Sequence, residues 1–214
     1  MKRNSRIILA LDETDGKKAL EVAESVSGIV DAIKINWPLV LSEGPGMITE
    51  LSRFSEVICD FKVADIPNTV RLIVENAVSR GASGVIVHAF TGEDSLRAAV
   101  EAAGGADIYA VTEMSHPGGQ MFTAKHAEEM ARMGVECGVS GFIAPATRPE
   151  RITAIRKIAG ELKILSPGVG AQGGKASDAI RAGADYAIVG RAIYGAKDPK
   201  AAPEVFAEDA RYVH

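Results

Sequence analysis

Two opposite charges stand two residues apart in the segment Cys59-Asp60-Phe61-Lys62-Val63-Ala64-Asp65. The segment continues an apolar run, Val57-Ile58-Cys59, that reads as a short buried strand. Strand side chains alternate between faces, so Asp60 and Lys62 share one face while Cys59 and Phe61 occupy the other. Charges on a buried strand face are costly unless they pair. Two arrangements meet that condition. One is a structural ion pair at a strand end. The other is a reactive cluster, open to proton transfer and charge stabilisation, which Asp65 in the following loop is near enough in sequence to join.

The rest of the chain must supply the scaffold for that segment. Apolar runs that read as strands cover 6–11, 30–36, 57–61, 84–88, 108–112, 141–144, 163–166 and 186–189. Between them the apolar spacing predicts helices over 16–27, 47–54, 68–80, 93–103, 126–137, 149–159 and 177–182, with a weaker one near the C-terminus. Pro67 precedes the third of these, where proline favours helix initiation. Strands that are nearly continuous apolar runs and alternate with helices indicate a parallel sheet covered on both faces. Eight such units in 214 residues fit a compact α/β fold, the (β/α)8 TIM barrel, near the short end of its usual ~200 to 400 residues. An open doubly wound sheet is the alternative. No linker or composition shift divides residues 1–214, so a single catalytic domain is expected.

In such a barrel, function gathers at the C-terminal ends of the strands. Asp12 ends the first strand, Lys34 lies on the second, Asp60 and Lys62 on the third, and Ser115 follows the fifth. The seventh opens into Pro167-Gly168-Val169-Gly170-Ala171-Gln172-Gly173-Gly174 and the eighth into Gly190-Arg191. Charges of alternating sign thus converge on one rim, which unrelated structural ion pairs would not do together. Loops after the last two strands commonly hold a phosphate, and here Gln172 offers an amide and Arg191 a bidentate cation.

Composition narrows the partners. A formal net charge of −4 with no basic stripe argues against nucleic acid. No apolar run is long enough to span a bilayer, and no apolar signal core follows Met1, so the expected compartment is the cytoplasm. The two cysteines, Cys59 and Cys137, and the four histidines show neither disulfide framework nor metal-ligand spacing. Cys59 is expected to pack as a small apolar residue. His88, at the end of the fourth strand, is expected to hydrogen-bond or pack rather than bind a metal. Trp37 is expected to pack, Met114 and Met121 to line the loop apolarly, and His116 to contact the substrate or shape its loop.

The segment Asp60-Phe61-Lys62-Val63-Ala64-Asp65-Ile66-Pro67 resembles the D-x-K-x-x-D core of the orotidine 5'-phosphate decarboxylase family, in its compact archaeal form. Lys34 with Pro38-Leu39-Val40-Leu41-Ser42-Glu43-Gly44, the loop Thr112-Glu113-Met114-Ser115-His116-Pro117-Gly118, the segment 166–174 and Val189-Gly190-Arg191 extend the likeness, which runs from about Arg6 to Tyr194. D-x-K-x-x-D alone is shared with sugar-phosphate relatives; the Ser115 and Gln172 loops make the resemblance specific. The resemblance implies loss of carbon dioxide from orotidine 5'-phosphate to give uridine 5'-phosphate, in pyrimidine biosynthesis, with no metal or organic cofactor. It makes Lys62 the proton donor, sets Asp60 beside the substrate carboxylate, and joins Lys34, Asp60, Lys62 and Asp65 in one catalytic network. Asp12 and Lys34 are implied to contact ribose, Ser115 the base, and Gln172 and Arg191 the phosphate, with Pro167, Gly168, Val169, Gly170 and Gly190 around them. Ile66 is implied to bind substrate, and Asp65 and Thr69 to reach the ribose site of a second subunit, in a homodimer with shared active sites. The competing readings are a magnesium-dependent sugar-phosphate aldolase or decarboxylase of the same superfamily and a non-catalytic nucleotide-binding module.

Overall fold

The computed structural model describes residue 1 and residues 3–211. Its eight strands are β1 (Ile7–Leu11), β2 (Ala32–Ile35), β3 (Val57–Val63), β4 (Gly84–His88), β5 (Asp107–Val111), β6 (Gly141–Ile143), β7 (Lys163–Val169) and β8 (Tyr186–Val189). They form a closed barrel in sequence order, every pair parallel, with Leu9 of β1 in register with both Ile33 of β2 and Val189 of β8. The barrel expected from the alternation of elements is the one found, not the open sheet.

Alternation along each strand builds two apolar layers. On β1, Ile7, Leu9 and Leu11 face the helices while Ile8 and Ala10 face the barrel interior. The interior below the charged rim is filled by large residues, including Tyr109, Leu165 and Tyr186. Both faces of every strand are therefore buried, which is why the strands read as continuous apolar runs. Close approach demands glycine at Gly141 of β6: a Cβ there would meet the backbone oxygen of Lys163 at 2.1 Å.

The outer ring comprises α1 (Gly16–Ser25), α2 (Trp37–Glu43), α3 (Met47–Leu51), α4 (Pro67–Val78), α5 (Glu93–Ala102), α6 (Thr123–Cys137), α7 (Pro149–Ala159), α8 (Ala176–Arg181), α9 (Arg191–Tyr194) and α10 (Ala202–Arg211). Helix α2 has no counterpart in the sequence expectation. Its start is made by Asn36, whose Oδ1 accepts from the Trp37 backbone N–H at 2.7 Å, and by Pro38 in the first turn, where a missing N–H costs nothing. Helix α6 begins three residues before the expected His126, and α1 stops two residues before the expected Ser27.

Two strands run beyond their expected ends, and both carry an irregularity there. Strand β3 continues to Val63 and β7 to Val169, and in each the register with the next strand shifts near the C-terminal end. On β3 the pairs Cys59–Val85 and Val63–Val87 show four residues of one strand advancing against two of the other. Bulges of this kind re-aim side chains, and these two lie at the rim where the charged residues gather.

Candidate active site

A cavity of about 220 Å³ opens at the C-terminal ends of the strands. Its apolar floor comes from inward positions of five strands: Ala10, Ile86, Val111, Ile143 and Ile188. The charged residues sit on that floor, so their interactions act where water is partly excluded.

Asp60 is the centre of charge. Lys34 Nζ donates to its Oδ2 at 2.7 Å and Lys62 Nζ to its Oδ1 at 2.8 Å, so each carboxylate oxygen carries one ammonium. Lys34 and Asp60 are both 5% exposed, whereas the Lys62 side chain keeps 31%. Burial by itself raises the Asp60 carboxyl, but the charges of Lys34 and Lys62 outweigh it and hold the group below the usual carboxylate range. Behind it, Cys59 faces the helices, and burial followed by the Asp60 charge pushes its thiol up to about 12. That thiol is packing, as expected.

Lys62 has φ of 44°, a left-handed conformation that a lysine rarely adopts, and it lies inside the β3 bulge. Strain of this order costs about 1–3 kcal/mol and persists only where surrounding structure enforces it. Simple alternation places Asp60 and Lys62 on one side, and the bulge is what brings the ammonium back onto the carboxylate two residues earlier.

The rim supplies polar groups of other kinds. Asp12 Oδ1 is buried and has no hydrogen-bond partner among the described residues, an acceptor directed into the cavity wall without a protein donor. Ser115 lies on the β5 side. The loop carrying it is pinned by Glu113, 2% exposed, whose two oxygens accept from Arg148 Nε and Arg151 Nε, each at 2.8 Å. Arg148 also donates to the backbone oxygens of Met114 and Ser115, at 2.6 and 3.3 Å. Glu113 was not expected as a site residue, because its partners lie 35 and 38 positions away and no short motif links them. Asn36 and Ala171 also line the cavity unexpectedly, while Met114 lines it as expected.

On the opposite side, Pro167, Gly168, Val169, Gln172, Gly190 and Arg191 line the cavity together. Gly168 has φ of 102° and Gly173 91°, turns open to glycine. Gly170 does not line the cavity: its N–H donates to the Gly174 oxygen at 2.9 Å, closing the loop on itself. Its part in the loop is conformational.

Asp65, Ile66 and Thr69 also stand outside the cavity of the single chain. The Asp65 side chain is exposed and accepts from the Ile66 N–H at 2.7 Å, while its backbone oxygen accepts from Ser95 Oγ at 2.7 Å. Ile66 is 66% exposed. In the single chain, therefore, the network contains Lys34, Asp60 and Lys62 but not Asp65. His88 packs on Phe90 with ring centroids 4.8 Å apart, and its buried Nδ1 has no partner among the described residues. Burial first, then the nearby Lys62 charge, pushes its pKa down to about 4, so the ring is neutral at pH 7. His116 is exposed and lies off the cavity. Among the described residues, no three His, Cys, Asp or Glu side chains are grouped to hold a metal ion.

Comparison with known proteins places this geometry. The model of the orotidine 5'-phosphate decarboxylase / HUMPS family matches residues 5–206. The orotidine 5'-phosphate decarboxylase of Methanosarcina mazei is 58% identical over 212 residues, spanning 98% of this chain and 96% of that protein. That of Methanococcoides burtonii is 56% identical, spanning 98% and 99%. Among solved structures, orotidine 5'-monophosphate decarboxylase from Methanocaldococcus jannaschii complexed with the inhibitor BMP matches at a TM-score of 0.91, with 44% identity over 95% of this chain and 97% of that one. The enzyme from Pyrococcus horikoshii matches at 0.90, with 47% identity over 97% and 100%. The chain belongs to the orotidine 5'-phosphate decarboxylase / HUMPS family.

Proposed function

We propose that the chain removes the carboxylate of orotidine 5'-phosphate to yield uridine 5'-phosphate and carbon dioxide. The observation that carries this reading is Lys62 Nζ, held 2.8 Å from Asp60 over an apolar floor. When the bond between ring carbon and carboxylate breaks, carbon dioxide departs and the electron pair stays on the ring carbon. Lys62 then gives that carbon a proton from Nζ and recovers one from solvent. An ammonium at this position stabilises the carbanion-like transition state more than the neutral ring, and that difference is what lowers the barrier.

Asp60 acts in the opposite sense on the ground state. A substrate carboxylate about 4 Å from it would be repelled by roughly 4 kcal/mol at an effective dielectric near 20. Departure of carbon dioxide removes that contact. Binding energy from the phosphate, held by Gln172 and Arg191, offsets the unfavourable approach. Asp12 and Lys34 serve the ribose in this reading, and Ser115 the base. Asp65, Ile66 and Thr69 serve the site of a second subunit, so the working form is a homodimer, and the exposure of Asp65 and Ile66 in the single chain supports that assignment.

The test is a spectrophotometric assay with orotidine 5'-phosphate in excess chelator. Turnover is expected to continue. Turnover lost to the chelator and restored by magnesium would instead favour a metal-dependent lyase. Tight binding of uridine 5'-phosphate without any turnover would favour a nucleotide-binding module.

A further inference from the structure

We propose that Trp37 is a positioning residue for Lys62, holding the strained segment from which the ammonium reaches Asp60. The inference rests on Lys62 as the proton donor and adds what keeps it in place. Trp37 follows the end of β2 as the first residue of α2, where Asn36 Oδ1 accepts from its backbone N–H at 2.7 Å. From there the indole Nε1–H donates to the backbone oxygen of Phe61 at 3.0 Å. The indole also stacks on the Phe61 ring, with centroids 4.6 Å apart and planes 29° from parallel.

Phe61 is the residue just before Lys62, and its carbonyl belongs to the peptide unit whose far side sets the Lys62 φ of 44°. That peptide lies beyond the last β2–β3 register pair, Ile35 with Cys59, and inside the span from Cys59 to Val63 where β3 and β4 form no register pair. The carbonyl therefore sits where the regular ladder on both flanks has lapsed, and the indole takes the place of a ladder donor. Ring stacking fixes the Phe61 side chain at the same time. Fixing both the carbonyl and the ring of one residue leaves the next residue little freedom. Trp37 is 42% exposed and does not line the cavity, so its action on the chemistry runs through the Phe61–Lys62 segment it holds. A misplacement of order 1 Å by a residue away from the chemistry costs as much as ~100-fold in rate.

The test uses Trp37→Phe, which keeps a ring against Phe61 and deletes the donor, beside Trp37→Leu, which deletes both. In Trp37→Phe, kcat is expected to fall about tenfold while KM and the affinity for uridine 5'-phosphate stay within about twofold, because only the transition-state contact is disturbed. Trp37→Leu should fall further in kcat, with the same split. A folded Trp37→Phe with wild-type kcat overturns the inference, as does a rise in KM at unchanged kcat. The wild-type protein gives a check that needs no variant to fold. Trp37 is the chain's single tryptophan, so the indole N–H gives one resonance. Its hydrogen exchange should be slowed at least about tenfold relative to free tryptophan, and exchange at the free rate overturns the clamp. Normal turnover by Lys62→Ala would remove the reading of Lys62 itself, whereas a dead Lys62→Ala beside a fully active Trp37→Phe removes only this inference.

Discussion

One carboxylate between two ammonium groups leaves a net positive centre, which suits a ligand that brings its own negative charge and develops more during reaction. In the proposed reaction, that arrangement gives Lys62 a role in the transition state. Lys62→Ala should therefore lower kcat by about 10²- to 10⁴-fold, the range of a positioned proton donor, with uridine 5'-phosphate affinity little changed. Single-turnover kinetics beside equilibrium binding measures both, and near-normal turnover would sink the mechanism. His88 carries a second consequence, set by its burial first and then by the Lys62 charge. Its folded value of about 4 lies below the ~6.5 of a free histidine, so the unfolded chain takes up the proton first as pH falls. The neutral ring's contribution is complete above about pH 6.5 and is lost as pH falls toward 4. Thermal unfolding at pH 7.5 and pH 5 should show a smaller loss of Tm in His88→Gln than in wild type, and equal losses would refute the assignment. At this scale, periodicity made the shared face of Asp60 and Lys62 legible. The left-handed Lys62 backbone was not, because a bulge depends on how two strands pair and leaves no mark in one strand's residues. Nor was the Glu113 pairing with Arg148 and Arg151, which only closure of the barrel creates.

At the scale of elements, eight apolar runs separated by amphipathic stretches made the barrel readable, since each strand must be apolar on both faces. What stayed hidden were element ends and the short helix α2, whose start depends on one Asn36 cap and whose packing is tertiary. The loops after β7 and β8 illustrate the middle case. Their glycines read as a phosphate loop, and Gly168, Gln172, Gly190 and Arg191 do meet at one wall of the cavity. Gly170 instead spends its N–H inside the loop, a division of labour that a run of glycines cannot announce. If Arg191 is the phosphate cation, Arg191→Ala removes a charge-assisted contact of about 1.5–3 kcal/mol, lowering kcat/KM for the nucleotide about 10- to 100-fold. Because Arg191 is exposed at the start of a four-residue helix, folding should be unharmed. Orotidine lacking the phosphate should lose no efficiency from the substitution. An equal loss for nucleoside and nucleotide would remove Arg191 from the phosphate site.

At the scale of the whole molecule, three of the expected residues left outside the cavity, Asp65, Ile66 and Thr69, fall together at the start of α4. Asp65 and Ile66 are exposed there, Thr69 follows one turn on, and Leu72 on the same helix keeps 54% of its surface. The backbone of Asp65 is nevertheless held firmly by Ser95, so the loop is presented rather than loose. A two-fold partner would make any contact through this face reciprocal, each subunit lending the same residues to the other's cavity. The consequence is testable by complementation. Asp65→Asn and Lys62→Ala should each be inactive alone, since every site in either homodimer lacks one required group. In a mixed dimer one site receives an intact Lys62 and an intact Asp65, while the other carries both defects. Random exchange makes about half the dimers mixed, each with one good site of two, so roughly a quarter of wild-type activity should return (a statistical estimate from two-fold symmetry). The measurement is turnover after subunit exchange verified by differently tagged chains. Mixed dimers that form without any recovery would show that Asp65 serves its own subunit or none.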